Sequence, residues 1–343
     1  MTRRLVARLD NAGDVLLCGP AVRAMAASGG AVTMLTGPAG AAAARLLPGV
    51  DEVRTVDAPW VALDPSPATP EALRAVAAEL ADIGADEAVV LTSFHQSPLP
   101  LALMLRQAGV GSIAATSVDY PGSLLDVRHR YIDQLHEVEQ ALSVCQAAGH
   151  HLPDADDGRL LVDLPAARIE LPSGPYVAIH PGASVPARAL PVRPTIDAIA
   201  GLHRAGYRAV ITAGPSEQAL AHDIADAAAT PDTTVLAEGT ALADLGHVLA
   251  GATAVICGNT GPAHLAAAVG TPVVQAFAPT VDPRRWHPWM VPHVLLGTLD
   301  ISCAGCRAST CPVPDQPCLH PFTADAVVGA VATLAATRRE AVA

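Results

Sequence analysis

Short aliphatic runs alternate with longer segments of helical periodicity from one end of the chain to the other. In the first half the runs cover 5–9, 31–36, 52–56, 87–92 and 112–116, with helical patterns over 14–27, 70–84 and 99–109. Runs that stay apolar without strict alternation suit strands buried on both faces, and parallel pairing of such strands requires a crossover helix between them. After a helical stretch over 131–149 the composition turns to Asp and Pro in "HHLPDADDGRLLVDLPAARIELPSGP", which reads as a linker. The rhythm then restarts with runs at 176–180, 208–213, 233–237, 253–257, 272–277 and 293–296. This pattern predicts an α/β protein of two doubly wound, Rossmann-like parallel-sheet domains, residues 1–160 and 174–322, facing each other across a cleft. A last helix within 323–343 has an apolar pattern that fits either domain.

Ligands of such sheets bind outside the carboxyl ends of the strands, so the turns after the strands are where chemistry is expected. In "VICGNTGPAHLAAAVGTPVV" a buried strand runs into Gly258, Asn259, Thr260, Gly261 and Pro262, with His264 one turn inside the following helix. Gly258 and Gly261 allow close approach of a ligand to the backbone, Thr260 suits a cap and Pro262 suits a first helical turn. Unpaired amides and the dipole at a helix start favour a diphosphate there. An ordinary capped helix start explains the same residues, and a lone histidine is more often packed than functional.

The first turn, "RLDNAGDVLLCGP", brings Gly13 and Asp14 to the start of the first helix. Asp14 is expected as an N-cap, or as a general base for a hydroxyl nucleophile. In "AIHPGASVPARALPVRP", His180, Ser184 and Arg188 share a Pro- and Gly-rich loop, where Arg188 offers positive charge to a leaving diphosphate or is simply solvated. Glu217 in "AGPSE" opens another helix, placed for a ribose or for the helix dipole alone.

Composition narrows these options. At 343 residues the chain is about twice the usual length of one domain. Its formal charge is -12 and all 21 basic residues are arginine, which removes a Walker lysine, a lysine Schiff base and a pyridoxal site. An acidic chain without a basic run argues against nucleic acid as a partner. No apolar stretch is long enough to span a bilayer, although peripheral membrane contact remains open. Seven cysteines, an odd number, with no secretory signal read as a cytoplasmic protein without a disulfide scaffold.

Taken together, "RLDNAGDVLLCGPAVRAM", "HPGASVPARALP", "AGPSE" and "GNTGPAHLAAAVGTPVVQAFAPTVDPRRWHPW" resemble glycosyltransferase family 9, the ADP-heptose heptosyltransferases of lipopolysaccharide assembly. The resemblance implies a GT-B architecture, with an acceptor domain first and a nucleotide-sugar domain second. It implies inverting, metal-independent transfer of a heptose or related sugar from an ADP-sugar to a glycolipid, glycoside or small-molecule hydroxyl, with no cofactor. By position, Asp14 matches the family's base and Glu217 its ribose contact, while Thr260, Gly261 and His264 fall in the diphosphate and sugar motif. The chain departs from the family at Arg188, where a lysine is usual, at Leu190 in place of Trp, and at Asn259 in place of Asp.

Two other readings compete. A nicotinamide dehydrogenase suits two doubly wound domains but lacks GxGxxG after the first strand. A nucleotide-sugar binder without turnover would fit the three departures. "CAGCRASTCPVPDQPC" holds Cys303, Cys306, Cys311 and Cys318, a set whose irregular spacing leaves zinc and plain packing both open.

Overall fold

The computed structural model describes residues 2–61, 65–236 and 240–342. The chain divides into two compact units, 1–163 and 164–343. In the first, β1 (Arg3–Arg8), β2 (Ala31–Thr36), β3 (Glu52–Thr55), β4 (Glu87–Val90), β5 (Ser112–Thr116) and β6 (Val127–His129) form one all-parallel sheet ordered β3-β2-β1-β4-β5-β6. In the second, β7 (Tyr176–His180), β8 (Arg208–Thr212), β9 (Thr233–Leu236), β10 (Val255–Gly258), β11 (Val273–Ala276) and β12 (His293–Leu296) are ordered β12-β11-β10-β7-β8-β9. Ala237, expected at the end of β9, lies outside the described residues.

Both sheets have the same winding. Strands are added on one side of the first strand, then the chain crosses back and adds the rest on the other side. The winding therefore reverses between β1 and β4, and again between β7 and β10. At each reversal the two crossover segments leave in opposite directions, which opens a crevice at the carboxyl ends of those two strands.

The central strands are buried almost throughout, as their unbroken apolar runs require. Leu5, Ala7 and Val90 pack with Leu80, Leu101 and Leu105 in the first unit. In the second, Ile179, Ile211 and Ile256 pack with Ile199, Leu202 and Leu334. The closing helix, Ala324–Val342, thus belongs to the second unit, where Val327, Val331 and Leu334 lie against the helix Val192–Arg204.

Three local expectations need correction. The single helix expected over 14–27 is two, Ala12–Leu17 and Gly19–Ala27, because Pro20 has no N–H to continue the ladder. The helix expected from 131 begins at Glu137. His136 caps it, accepting from the Val138 N–H at 3.2 Å through Nδ1 while its own N–H donates to Glu139 at 2.9 Å. The residues ahead of it, where no strand is expected, include the short edge strand β6, too brief to leave a run in the sequence.

Candidate active site

The residues singled out in the sequence gather at the two reversal points. In the first unit they follow β1; in the second they follow β7 and β10, with Glu217 after the adjacent β8.

The first site is organised by a residue the sequence reading passed over. Arg8, at the end of β1, is only 3% exposed, yet its guanidinium meets three carboxylates. Nε lies 2.6 Å from Asp10, Nη2 3.1 Å from Asp14 and Nη1 3.6 Å from Glu137. Nη2 also donates to the Ser93 hydroxyl at 2.8 Å. Burial opposes the charged form of Arg8, but Asp10, Asp14 and Glu137 outweigh it and hold the proton more firmly than usual. Asp14 is not the N-cap. Asn11 takes that position, and Asp14 stands in the first turn, where its side chain is turned to Arg8. Gly13 is buried beside it. An arginine inside an apolar strand was the available signal, since a buried arginine is nearly always paired. Its partner Glu137 left no local signal.

The second site centres on the helix Gly261–Ala268, with Thr260 as N-cap and Pro262 in the first turn. The Thr260 side chain makes no capping bond, contrary to expectation. Its Oγ1, the Asn259 Nδ2 and the His264 Nδ1 are all buried without a hydrogen-bond partner. Nearby Gln275 donates to the Gly258 carbonyl at 3.3 Å while its own Oε1 is also unpartnered. Buried polar atoms are normally bonded, and an unmet one costs about 1–3 kcal/mol, so a cluster of them marks a place built for something polar. His264 is 3% exposed; burial, with positive charge from His287 and Arg188, pushes its pKa down to about 4.

Gly258 has a reason within the protein itself. A Cβ there would lie 1.8 Å from the Arg188 carbonyl oxygen, so the Arg188 backbone by itself requires glycine. Arg188 ends a short 3-10 turn, Pro186–Arg188, and its Nε donates to Thr280 at 3.1 Å. Leu190 is buried in the core. Ser184 stands exposed on the same loop.

Glu217 and His180 form a pair. His180 Nε2 lies 3.1 Å from Glu217 Oε2, and its Nδ1 lies 3.1 Å from the Thr212 hydroxyl. The Gly214 N–H donates to the same Oε2 at 2.9 Å. The bond from His180 is the main reason the Glu217 carboxyl is held below the usual range; burial opposes it and Gly214 adds to it. Gly182 makes room, because a Cβ there would fall 2.2 Å from the Glu217 carboxyl carbon.

Cys303, Cys306, Cys311 and Cys318 line one pocket of about 290 Å³ with Ala187 and Thr280. Among the described residues no group of three or more His, Cys, Asp or Glu side chains is arranged to hold a metal ion. The cysteine segment instead braces the Arg188 loop. Ala187 N–H donates to Ser309 at 2.9 Å, Gln316 to the Ala187 carbonyl at 2.6 Å, and Arg307 N–H to Thr280 at 3.0 Å. In the first unit Arg128 spends its donors on the carbonyls of Ser117 and Val118, and His129 bonds Ser143.

The model of glycosyltransferase family 9 (heptosyltransferase) matches residues 79–316, more than half of the chain. The chain belongs to glycosyltransferase family 9. Lipopolysaccharide heptosyltransferase 3 of Escherichia coli is 40% identical over 93 residues, 26% of this chain and 27% of that protein. In that match the chain spans about a quarter of the relative's length. A glycosyl transferase family 9 structure from Veillonella parvula is similar with a TM-score of 0.76 at 16% identity, covering 98% of this chain and 97% of that one. E. coli heptosyltransferase WaaC, solved with ADP-2-deoxy-2-fluoro heptose, is similar with a TM-score of 0.70 at 20% identity, covering 97% and 99%. These likenesses show the fold, the GT-B type built from two Rossmann-like units. No helix among the described residues is long and apolar enough to cross a membrane.

Two outcomes follow from this family 9 site. Gly258→Ala forces the Arg188 loop away and is expected to destabilise the protein by about 1–3 kcal/mol, read from the urea midpoint. For His264, the folded pKa of about 4 lies below the unfolded 6.5, so its stabilising share is complete above pH 6.5 and fades as pH falls toward 4. Between pH 7 and pH 5 the wild type should lose about 2 kcal/mol more than His264→Gln, by urea unfolding at each pH.

Proposed function

We propose that this chain moves a heptose, or a closely related sugar, from an ADP-sugar to an acceptor hydroxyl, with inversion and without a catalytic metal ion. The observation that carries this reading is the trio of unpartnered buried atoms, Asn259 Nδ2, Thr260 Oγ1 and His264 Nδ1, around a helix start at a winding reversal. Amides of the first helical turn and the hydroxyl of Thr260 donate to a diphosphate, which accepts. Neutral His264 donates through Nδ1 in the matching tautomer. Family membership supports the reaction class, and the WaaC complex with an ADP-sugar analogue supports the donor.

Roles then divide between the units. Asp14 takes the proton from the acceptor hydroxyl as its oxygen bonds to the anomeric carbon. The bond from that carbon to the diphosphate breaks, and ADP leaves with the electron pair. Charge grows on the diphosphate as this happens, and the Gly261 end of the helix and the Arg188 guanidinium stabilise it there. With that field supplied by amides and arginine, the reaction has no need of a divalent cation. Glu217 holds the ribose: His180 and Gly214 both bond Oε2, so the carboxylate is fixed in orientation and Oε1 accepts from the ribose. Gly13 keeps the turn beside Asp14 compact, and Ser184 reaches the donor from its exposed loop.

The first test is a thermal-shift panel of ADP, UDP and GDP. ADP at about 100 times its Kd should stabilise the protein by about 2.7 kcal/mol, and Thr260→Val with His264→Ala should abolish that shift. A larger shift with UDP or GDP would replace the donor class. Asp14→Asn should lower transfer by about 100- to 10,000-fold with the ADP shift intact, and excess EDTA should leave the wild-type rate unchanged, both read as ADP release.

A further inference from the structure

Neutralising a buried guanidinium takes one carboxylate, and Asp10 at 2.6 Å already does so for Arg8. The fold nevertheless brings in two more. The side chains of Asp10, Asp14 and Glu137 are 11%, 21% and 2% exposed, so one positive charge faces three negative ones in a largely dry setting. The surplus negative charge favours uptake of a proton by the cluster, and desolvation strengthens the effect. Asp14 is the member most open to solvent and substrate. Glu137 is the one least able to exchange a proton with solvent.

Glu137 is itself held in place. It is the first residue of the helix Glu137–Ala147, where the dipole favours a negative charge, and the Tyr131 hydroxyl donates to its Oε1 at 3.0 Å. Tyr131 lies in the connection between β6 and this helix, with its ring 6.3 Å from that of Phe94. Arg8 also faces the neutral Ser93 hydroxyl and Cys18, whose thiol burial pushes up to about 12, so that it carries no charge at neutral pH. His136, beside Glu137, has its Nδ1 occupied by the Val138 N–H.

We propose that Glu137 is a positioning residue for the base: it holds one edge of the Arg8 guanidinium and sets the basicity of Asp14 through their shared cation. This rests on Asp14 being the base. A lone arginine–aspartate pair would leave Asp14 too weak to accept a proton. Spreading the same cation over three carboxylates keeps Asp14 oriented without disarming it. Tyr131 ties the arrangement to the connection after β6.

The test uses the full chain labelled with ¹³C at aspartate Cγ, with the Asp14 signal assigned by its loss in Asp14→Asn. Glu137→Gln should move the Asp14 titration midpoint down by about one pH unit, and Glu137→Asp, which keeps the charge, should leave it near the wild type. An unmoved midpoint in Glu137→Gln, with only a lowered Tm, would reduce Glu137 to a structural part and overturn the proposal. Should Glu137→Gln fail to fold, Tyr131→Phe reads the same coupling: withdrawing the hydroxyl from Glu137 should raise the midpoint, and no change overturns the idea. Transfer by Asp14→Asn separates the two claims. Loss of transfer with an unmoved Glu137→Gln midpoint defeats only this inference, whereas wild-type transfer by Asp14→Asn defeats the base assignment itself.

Discussion

Parallel strands cannot be joined by tight turns, and that restriction shapes everything else in this molecule. Each strand must return through a crossover, so each sheet is filled first on one side of its opening strand and then on the other. The winding reverses once per unit, beside β1 and beside β7. There neighbouring crossovers part, and side chains from two turns can converge on one ligand. Asp14 and Arg8 lie at one such seam; Arg188, Asn259 and His264 lie at the other.

The two seams are built on opposite principles. Around Arg8 the polar groups meet as ion pairs, and the tension is one of charge: three acids against a single guanidinium. Around the helix Gly261–Ala268 polar atoms are buried and left unmatched. The first arrangement is suited to handling a proton, because its acids share one cation and answer to one another. The second is suited to receiving a highly charged group from outside.

Close packing requires two of the glycines. Gly258 yields to the carbonyl of Arg188 and Gly182 to the carboxyl of Glu217. Each brings a functional side chain to a set place by letting its backbone or head group come nearer than a methyl would allow. The cysteine-bearing segment has a similar part, since its carbonyls and Gln316 brace the turn that carries Arg188. Arg188 thus sits in a loop fixed from two sides.

The sequence by itself determined the elements and their order. Apolar runs bounded by Gly and Pro placed eleven of the strands to within a few residues, because a strand buried on both faces has to be apolar throughout, and β6 escaped for being an edge of three residues. It also pointed to turns as candidates for chemistry, since Asp14, Glu217 and the Gly258–His264 stretch are local patterns. Tertiary structure alone decided what those residues touch. That Arg8 gathers Asp10, Asp14 and Glu137, that Glu217 is held by His180, and that the closing helix packs on the second unit all depend on contacts between distant segments. Periodicity records which face of an element is buried; it carries no trace of the partner that buries it.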